Sequence, residues 1–167
     1  MLLALARQAI VWHLQGEDLA RPGLFQRNSP PSACFVSLKT RVADRLRGCI
    51  GTLRPSKSTV EEEVVANSVA AASRDPRFAP VRWDELELLR ISIDLLSAPE
   101  PIGSEAGLDP GRFGVIVRAG ERCGVLLPDL PGVDTAAQQL AICREKAGIR
   151  ADEPVRLERF TVERFAE

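Results

Sequence analysis

Ala33-Cys34-Phe35-Val36-Ser37-Leu38, then Leu46-Arg47-Gly48-Cys49-Ile50-Gly51-Thr52-Leu53, then Ser58-Thr59-Val60-Glu61 follow one another in the chain, and their order decides the fold. The first run is apolar and partly β-branched, which predicts a strand buried on both faces. A second strand is expected from Leu46 to Leu53, reached through the short polar connection 41–45. Ser58 to Glu61 matches the S-x-x-E capping box, so a helix should start there and run through the alanine-rich stretch to about Ser73. Asp75-Pro76 ends it, because proline disfavours the helical region for the residue before it.

Leu2 to about Gln15 has mostly helical spacing of apolar residues, with Gly16 as a stop. Pro22, Gly23 and Pro30-Pro31 mark a loop. Downstream, Arg90 to Leu96 alternates, with Ile91, Ile93 and Leu95 opposite Ser92 and Asp94, as in a half-buried strand. A turn-rich stretch, Pro99 to Gly111, leads to strands at Phe113–Val117 and Cys123–Leu127, joined by a hairpin through Ala119-Gly120-Glu121. Asp134 is expected to cap a helix from Thr135 to Ala147 that Gly148 closes. Val155 to Phe165 reads as a strand broken near Arg159. Strands do not alternate regularly with helices, so the expected class is α+β: a mixed, largely antiparallel sheet with packed helices, in two lobes (about 1–98 and 99–167) sharing one compact domain. The strand-pair-then-helix order of 33–74 returns in 113–148 and suggests two similar halves, although no residue-level repeat is visible.

The 167 residues are 45% hydrophobic, enough for a real core and too much for intrinsic disorder. Twenty-two basic against twenty-three acidic residues leave a net charge of -1, which argues against nucleic acid or anionic membrane as a partner. Leu2 to Ala6 is far too short for a signal-peptide core, and no run of about 18 apolar residues exists to span a membrane. A cytoplasmic location is expected, where the four cysteines would be thiols. Positions 34, 49, 123 and 143 form no C-x-x-C pair, so neither a metal site nor a cofactor of the chain's own is expected. One histidine excludes any mechanism that needs two within a single chain.

Arg47-Gly48-Cys49-Ile50-Gly51 is the stretch with chemical content. Period two places Arg47 and Cys49 on one face of their strand, where a guanidinium can favour the thiolate. Gly48 and Gly51 weaken a strand, so they mark a bulge or a close approach of ligand or backbone. Two readings stay open: a thiol beside a cation with bare backbone around it, or glycines that relieve crowding around a small buried cysteine. Cys34, Cys123 and Cys143 read as structural, and Glu61, Glu62 and Glu63 as the acidic first turn of a helix. The loop Arg74-Asp75-Pro76-Arg77-Phe78-Ala79-Pro80 is stiffened by two prolines; Asp75 and Arg77 there are either site residues or a latch. His13 is remote in sequence from both segments.

Leu46-Arg47-Gly48-Cys49-Ile50-Gly51-Thr52 resembles the hallmark motif of the AMMECR-type family, named for a candidate gene of the AMME deletion syndrome. Its prokaryotic members are called AmmeMemoRadiSam system protein A. Cys34 to Lys39, Asp75 to Val81, Glu85-Leu86, Gly114 to Ile116, Gly124 to Pro128 and Cys143 to Gly148 agree in the same order. The likeness therefore runs from the first helix to Phe165, as a single domain over 1–167. Asp129 to Gln139 departs from it: relatives carry a longer, acidic, tryptophan-bearing stretch there. The resemblance implies a two-lobed α+β fold and a role beside a Memo-like protein and a radical SAM protein. It also implies one site lined by Arg47, Gly48, Cys49 and Gly51 with Asp75, Pro76, Arg77 and Phe78. Two functions are compatible with that site. In the first, the chain binds a small molecule, a peptide or those partners through the Arg47–Gly51 segment. In the second, Cys49 is a thiolate nucleophile toward a small anionic or carbonyl substrate, for which the sequence supplies no obvious base.

Overall fold

Period-two alternation organises the first strand, β1 (Cys34–Thr40): Cys34, Val36 and Leu38 are buried while Phe35, Ser37 and Lys39 are partly exposed. One face of this strand is deeply buried rather than both, because helices cover only that side. The computed structural model describes residues 1–17 and 29–167, so Pro22 and Gly23 lie outside the described residues. Two compact units emerge, one of residues 1–95 with 163–167 and one of residues 96–162.

In the first unit, β1 pairs antiparallel with β2 (Leu46–Gly51) and with β3 (Leu89–Leu96), and β8 (Val162–Ala166) completes the order β2-β1-β3-β8. Helices α1 (Leu2–Leu14) and α2 (Val60–Ser73) supply Ala6, Ile10, Val64 and Ala71 to the core formed with Val36, Leu38, Ile91 and Ile93. Each fully buried Val, Leu or Ile there contributes ~1.5–3 kcal/mol relative to exposure. In the second unit the order is β4-β7-β5-β6, with β4 (Glu100–Ile102), β5 (Gly114–Ala119), β6 (Arg122–Leu126) and β7 (Arg156–Phe160). Helix α3 (Ala136–Lys146) packs through Cys143 on Val115 and Val117. Short β4 sits inside the stretch expected to be only turns, its signal masked by Pro101.

The halves suggested by the order of elements share a frame position by position. Leu38 pairs with Gly48 on one side and Ile91 on the other; Val117 pairs likewise with Gly124 and Leu157. A Cβ at Gly48 would lie 2.1 Å from the carbonyl oxygen of Ala71 in α2, and one at Gly124 would lie 2.1 Å from that of Cys143 in α3. Each helix thus rests its backbone directly on a strand glycine. One turn earlier in each helix a buried amide donates to the start of the first strand: Asn67 to the carbonyl of Cys34, the first residue of β1, at 3.0 Å, and Gln139 to that of Phe113, just before β5, at 2.8 Å. The fourth strands are exchanged along the chain, since β4 follows β3 and β8 follows β7.

Both helix starts fall one residue beyond the positions expected from sequence. Thr59 caps α2 by accepting from the Glu62 N–H, and Thr135, not Asp134, caps α3. In the second case Gln138 returns the bond to the Thr135 N–H, a complete capping box. Threonine outcompetes its neighbour in both because its hydroxyl lies within reach of the third helical N–H.

Candidate functional site

Strand β2 is an edge strand, so Cys49 has a backbone N–H facing away from β1 that needs a partner. Asp75 supplies it, accepting from the Cys49 N–H at 2.9 Å. The proline after Asp75 and the end of α2 at Ser73 turn the chain back along this edge, which brings the 75–80 loop beside the 47–49 stretch. Asp75 also accepts from the Arg77 N–H at 3.1 Å and from its guanidinium at 2.9 and 2.7 Å. The carboxylate is only 2% exposed. The Arg77 guanidinium, with help from the two backbone N–H groups and against the effect of burial, holds Asp75 well below the usual carboxylate range.

Arg47 serves this loop rather than the thiol. Its guanidinium forks onto Glu85 at 2.9 and 3.0 Å and donates to the carbonyls of Ala79 at 2.8 Å and Pro80 at 3.3 Å. The bidentate pair is the geometry arginine is suited to, and Arg47 pulls the Glu85 carboxyl below its ordinary value. The expected partnership of Arg47 with Cys49 along the strand is therefore replaced by a clamp on 79–85. The charge felt from Cys49 falls on Arg77 instead, which is 55% exposed and stacked 5.4 Å from the Phe78 ring. Cys49 itself is partly buried, and its Sγ accepts from the Ser37 hydroxyl at 3.2 Å, directly across the β1–β2 ladder.

Neither glycine of the motif is left open for a ligand by its geometry. Gly48 seats the α2 backbone, and a Cβ at Gly51 would strike the Phe35 ring at 2.3 Å. Beyond Gly51, Glu63 holds the following loop. Fully buried, it accepts from the Thr52 hydroxyl at 2.6 Å and from the Ser56 and Lys57 N–H groups at 2.7 and 2.8 Å. Burial pushes its pKa up, but these bonds outweigh it and the carboxyl stays low. The helix-dipole reading of the three glutamates thus describes Glu62, while Glu63 is a loop anchor. His13 is exposed near the end of α1, Cys34 and Cys143 are buried, and Cys123 is half-buried against Arg118.

Glu85 and Ser37 entered no sequence-based site. Ser37 was accessible from the hairpin register, which pairs it with Cys49. Glu85 lies 38 residues from Arg47; it stood in one of the stretches that resemble the family, but no role was attached to it there.

A family model, AMMECR1, matches residues 3–166. A protein of Thermotoga maritima is 48% identical over 143 residues, covering 85% of this chain and 80% of its own length. One of Clostridium acetobutylicum is 46% identical over 133 residues, 80% of this chain but 28% of that longer protein. The crystal structure of the uncharacterized protein PH0010 from Pyrococcus horikoshii matches with a TM-score of 0.89 at 30% identity, covering 99% of this chain and 89% of that one. Among the described residues no helix is long and apolar enough to cross a membrane. The chain belongs to the AMMECR1 family.

Proposed function

We propose that the first unit is a binding component whose surface of Cys49, Arg77 and Phe78 receives a small molecule or a partner protein. The observation that supports this is the division of labour around the thiol. Arg47, Glu85 and Asp75 are consumed in fixing the 75–85 segment, which leaves a thiol, a half-exposed guanidinium and an aromatic ring held in fixed positions. Rigid presentation of an arginine beside an aromatic ring is what recognition surfaces use. Catalysis by the thiolate is less well supported, since the Cys49 Sγ meets a hydroxyl donor and not a base. In the cell, on this reading, the component works in the cytoplasm with a Memo-like protein and a radical SAM protein.

Calorimetric titration of the full chain with each of those two proteins tests this. Arg77→Ala and Cys49→Ala should each weaken binding by about tenfold or more, by analogy with interface arginines. Unchanged affinity in both variants would reject this surface. Rapid alkylation of Cys49 by iodoacetamide well below pH 8, with loss of a chemical activity, would favour the nucleophile instead.

A further inference from the structure

The two units solve one electrostatic problem in different ways. In the first, Lys39 on β1 lies directly opposite Arg90 on β3. Like charges in that position repel, and the Asp44 carboxylate lies between them. Its Oδ2 accepts from Lys39 Nζ at 3.4 Å and its Oδ1 from the Arg90 guanidinium. Asp44 stands four residues before Gly48, in the hairpin turn, with a left-handed φ of 50°.

The same pair recurs in the second unit. Arg118 follows Val117 as Lys39 follows Leu38, and Arg156 precedes Leu157 as Arg90 precedes Ile91; Arg118 and Arg156 are in direct register. Four residues before Gly124, again left-handed at φ 57°, stands Gly120. The first hairpin is longer and shifts register between Leu38 and Lys39, so the match is counted back from the seat glycine: there the left-handed turn residue is Asp44 in one unit and Gly120, without a side chain, in the other. An open cavity of about 350 Å³ lies at this place, bounded by Arg118, Gly120, Glu121 and Arg156 together with 154–155. Arg118 gives its Nε–H to Glu158 at 2.9 Å and touches Cys123. Among the described residues, none offers the Arg156 side chain a carboxylate within ion-pair distance. Glu121 is on the cavity wall but bonds to neither guanidinium.

The geometry points to a carboxylate-binding site in the second unit, between Arg118 and Arg156 beside Gly120. It takes a small carboxylate-bearing molecule, one oxygen toward each arginine, in the position that Asp44 occupies by itself in the first unit. The site is distinct from the Cys49 surface and does not depend on the reading of that surface. Its ligand class is fixed by the chain's own internal example: two opposed cations on neighbouring strands and a carboxylate from the turn.

Sodium acetate titrated into the isotope-labelled full chain, against sodium chloride at equal ionic strength, tests the assignment by nuclear magnetic resonance. Saturable shifts are expected at the Gly120 and Glu121 amides and at the Arg156 Nε–H, with acetate and not with chloride. Arg156→Gln, at an exposed position, should weaken acetate binding at least tenfold with the fold intact. Gly120→Asp should abolish it, by supplying the carboxylate internally; aspartate already adopts this backbone conformation at Asp44. Chloride shifts equal to those of acetate, or an acetate response undiminished in Arg156→Gln, would overturn the site.

Discussion

The two units share strand order, the glycine beneath the helix and the buried amide on it, yet their interiors differ in charge. Among the described residues the first unit buries Glu61, Glu63, Asp75 and Asp94, whereas the second buries no carboxylate and only Gln139 as a polar side chain. The frame therefore does not require buried carboxylates. Those of the first unit are additions, and three of them have assignable tasks. Asp75 fixes the loop beside Cys49, Glu63 fixes the loop after Gly51, and Asp94 pairs with Arg164 at 2.6 Å to tie β8 to β3. What is common to both units carries the fold, and what is peculiar to the first surrounds the Arg47–Gly51 segment.

The largest expected effects lie at the shared glycines. Gly48→Ala and Gly124→Ala each drive a Cβ into a helix carbonyl that cannot move without its helix, so each should cost ~3 kcal/mol or more. Urea unfolding of both variants checks this, and tolerance of alanine at either position would show that the equivalence is formal only. Next in size is Asp75→Ala, which leaves a backbone N–H unpaired and Arg77 without its partner. With Arg77 half in solvent, a loss of about 2–3 kcal/mol is expected. Loss of this carboxylate should also raise hydrogen exchange at 47–51 and leave it unchanged at 122–126.

Acidification sharpens the same contrast. Asp75 and Glu63 are held below their ordinary values, so their contribution is complete above about pH 5 and is lost as pH falls through 4 and below. Thermal unfolding should therefore lose stability on the acid side, and Asp75→Asn should flatten that limb. A limb unchanged in the variant would mean that Asp75 is not a linked group. The smallest effect belongs to the amides. Asn67→Leu removes a satisfied donor, while Gln139→Met also removes a buried carbonyl oxygen that has no partner among the described residues. The first should cost ~1 kcal/mol more than the second in denaturant titration.

Most elements were legible in the sequence because their signals are local: period-two runs, threonine and serine before acidic turns, proline after Asp75. The internal repeat was not. Its offset is 79 residues between Leu38 and Val117, 76 between Gly48 and Gly124, 72 between Ala71 and Cys143, and 66 between Ile91 and Leu157. Every connection differs in length, so no fixed period exists to be found, and the matched residues share size more than identity. The site was half legible. Arg47, Cys49 and Asp75 stood out by type, but their partners are set by an edge strand meeting a loop, which no spacing rule encodes. The reason for Gly48 was visible only once α2 had a position.

The exchange of fourth strands orders how the molecule is made. During synthesis β1, β2, α2 and β3 emerge early, yet the strand that completes their sheet is encoded some seventy positions later, as the Asp94–Arg164 bond measures. All of the second unit leaves the ribosome in that interval, with β3 still lacking a neighbour on one side. A nascent chain in this state exposes an unpaired strand edge, the form most prone to mispairing with other chains. β8 thus acts as a completion signal: the unit that bears the Cys49 motif is finished only after the whole second unit has been translated.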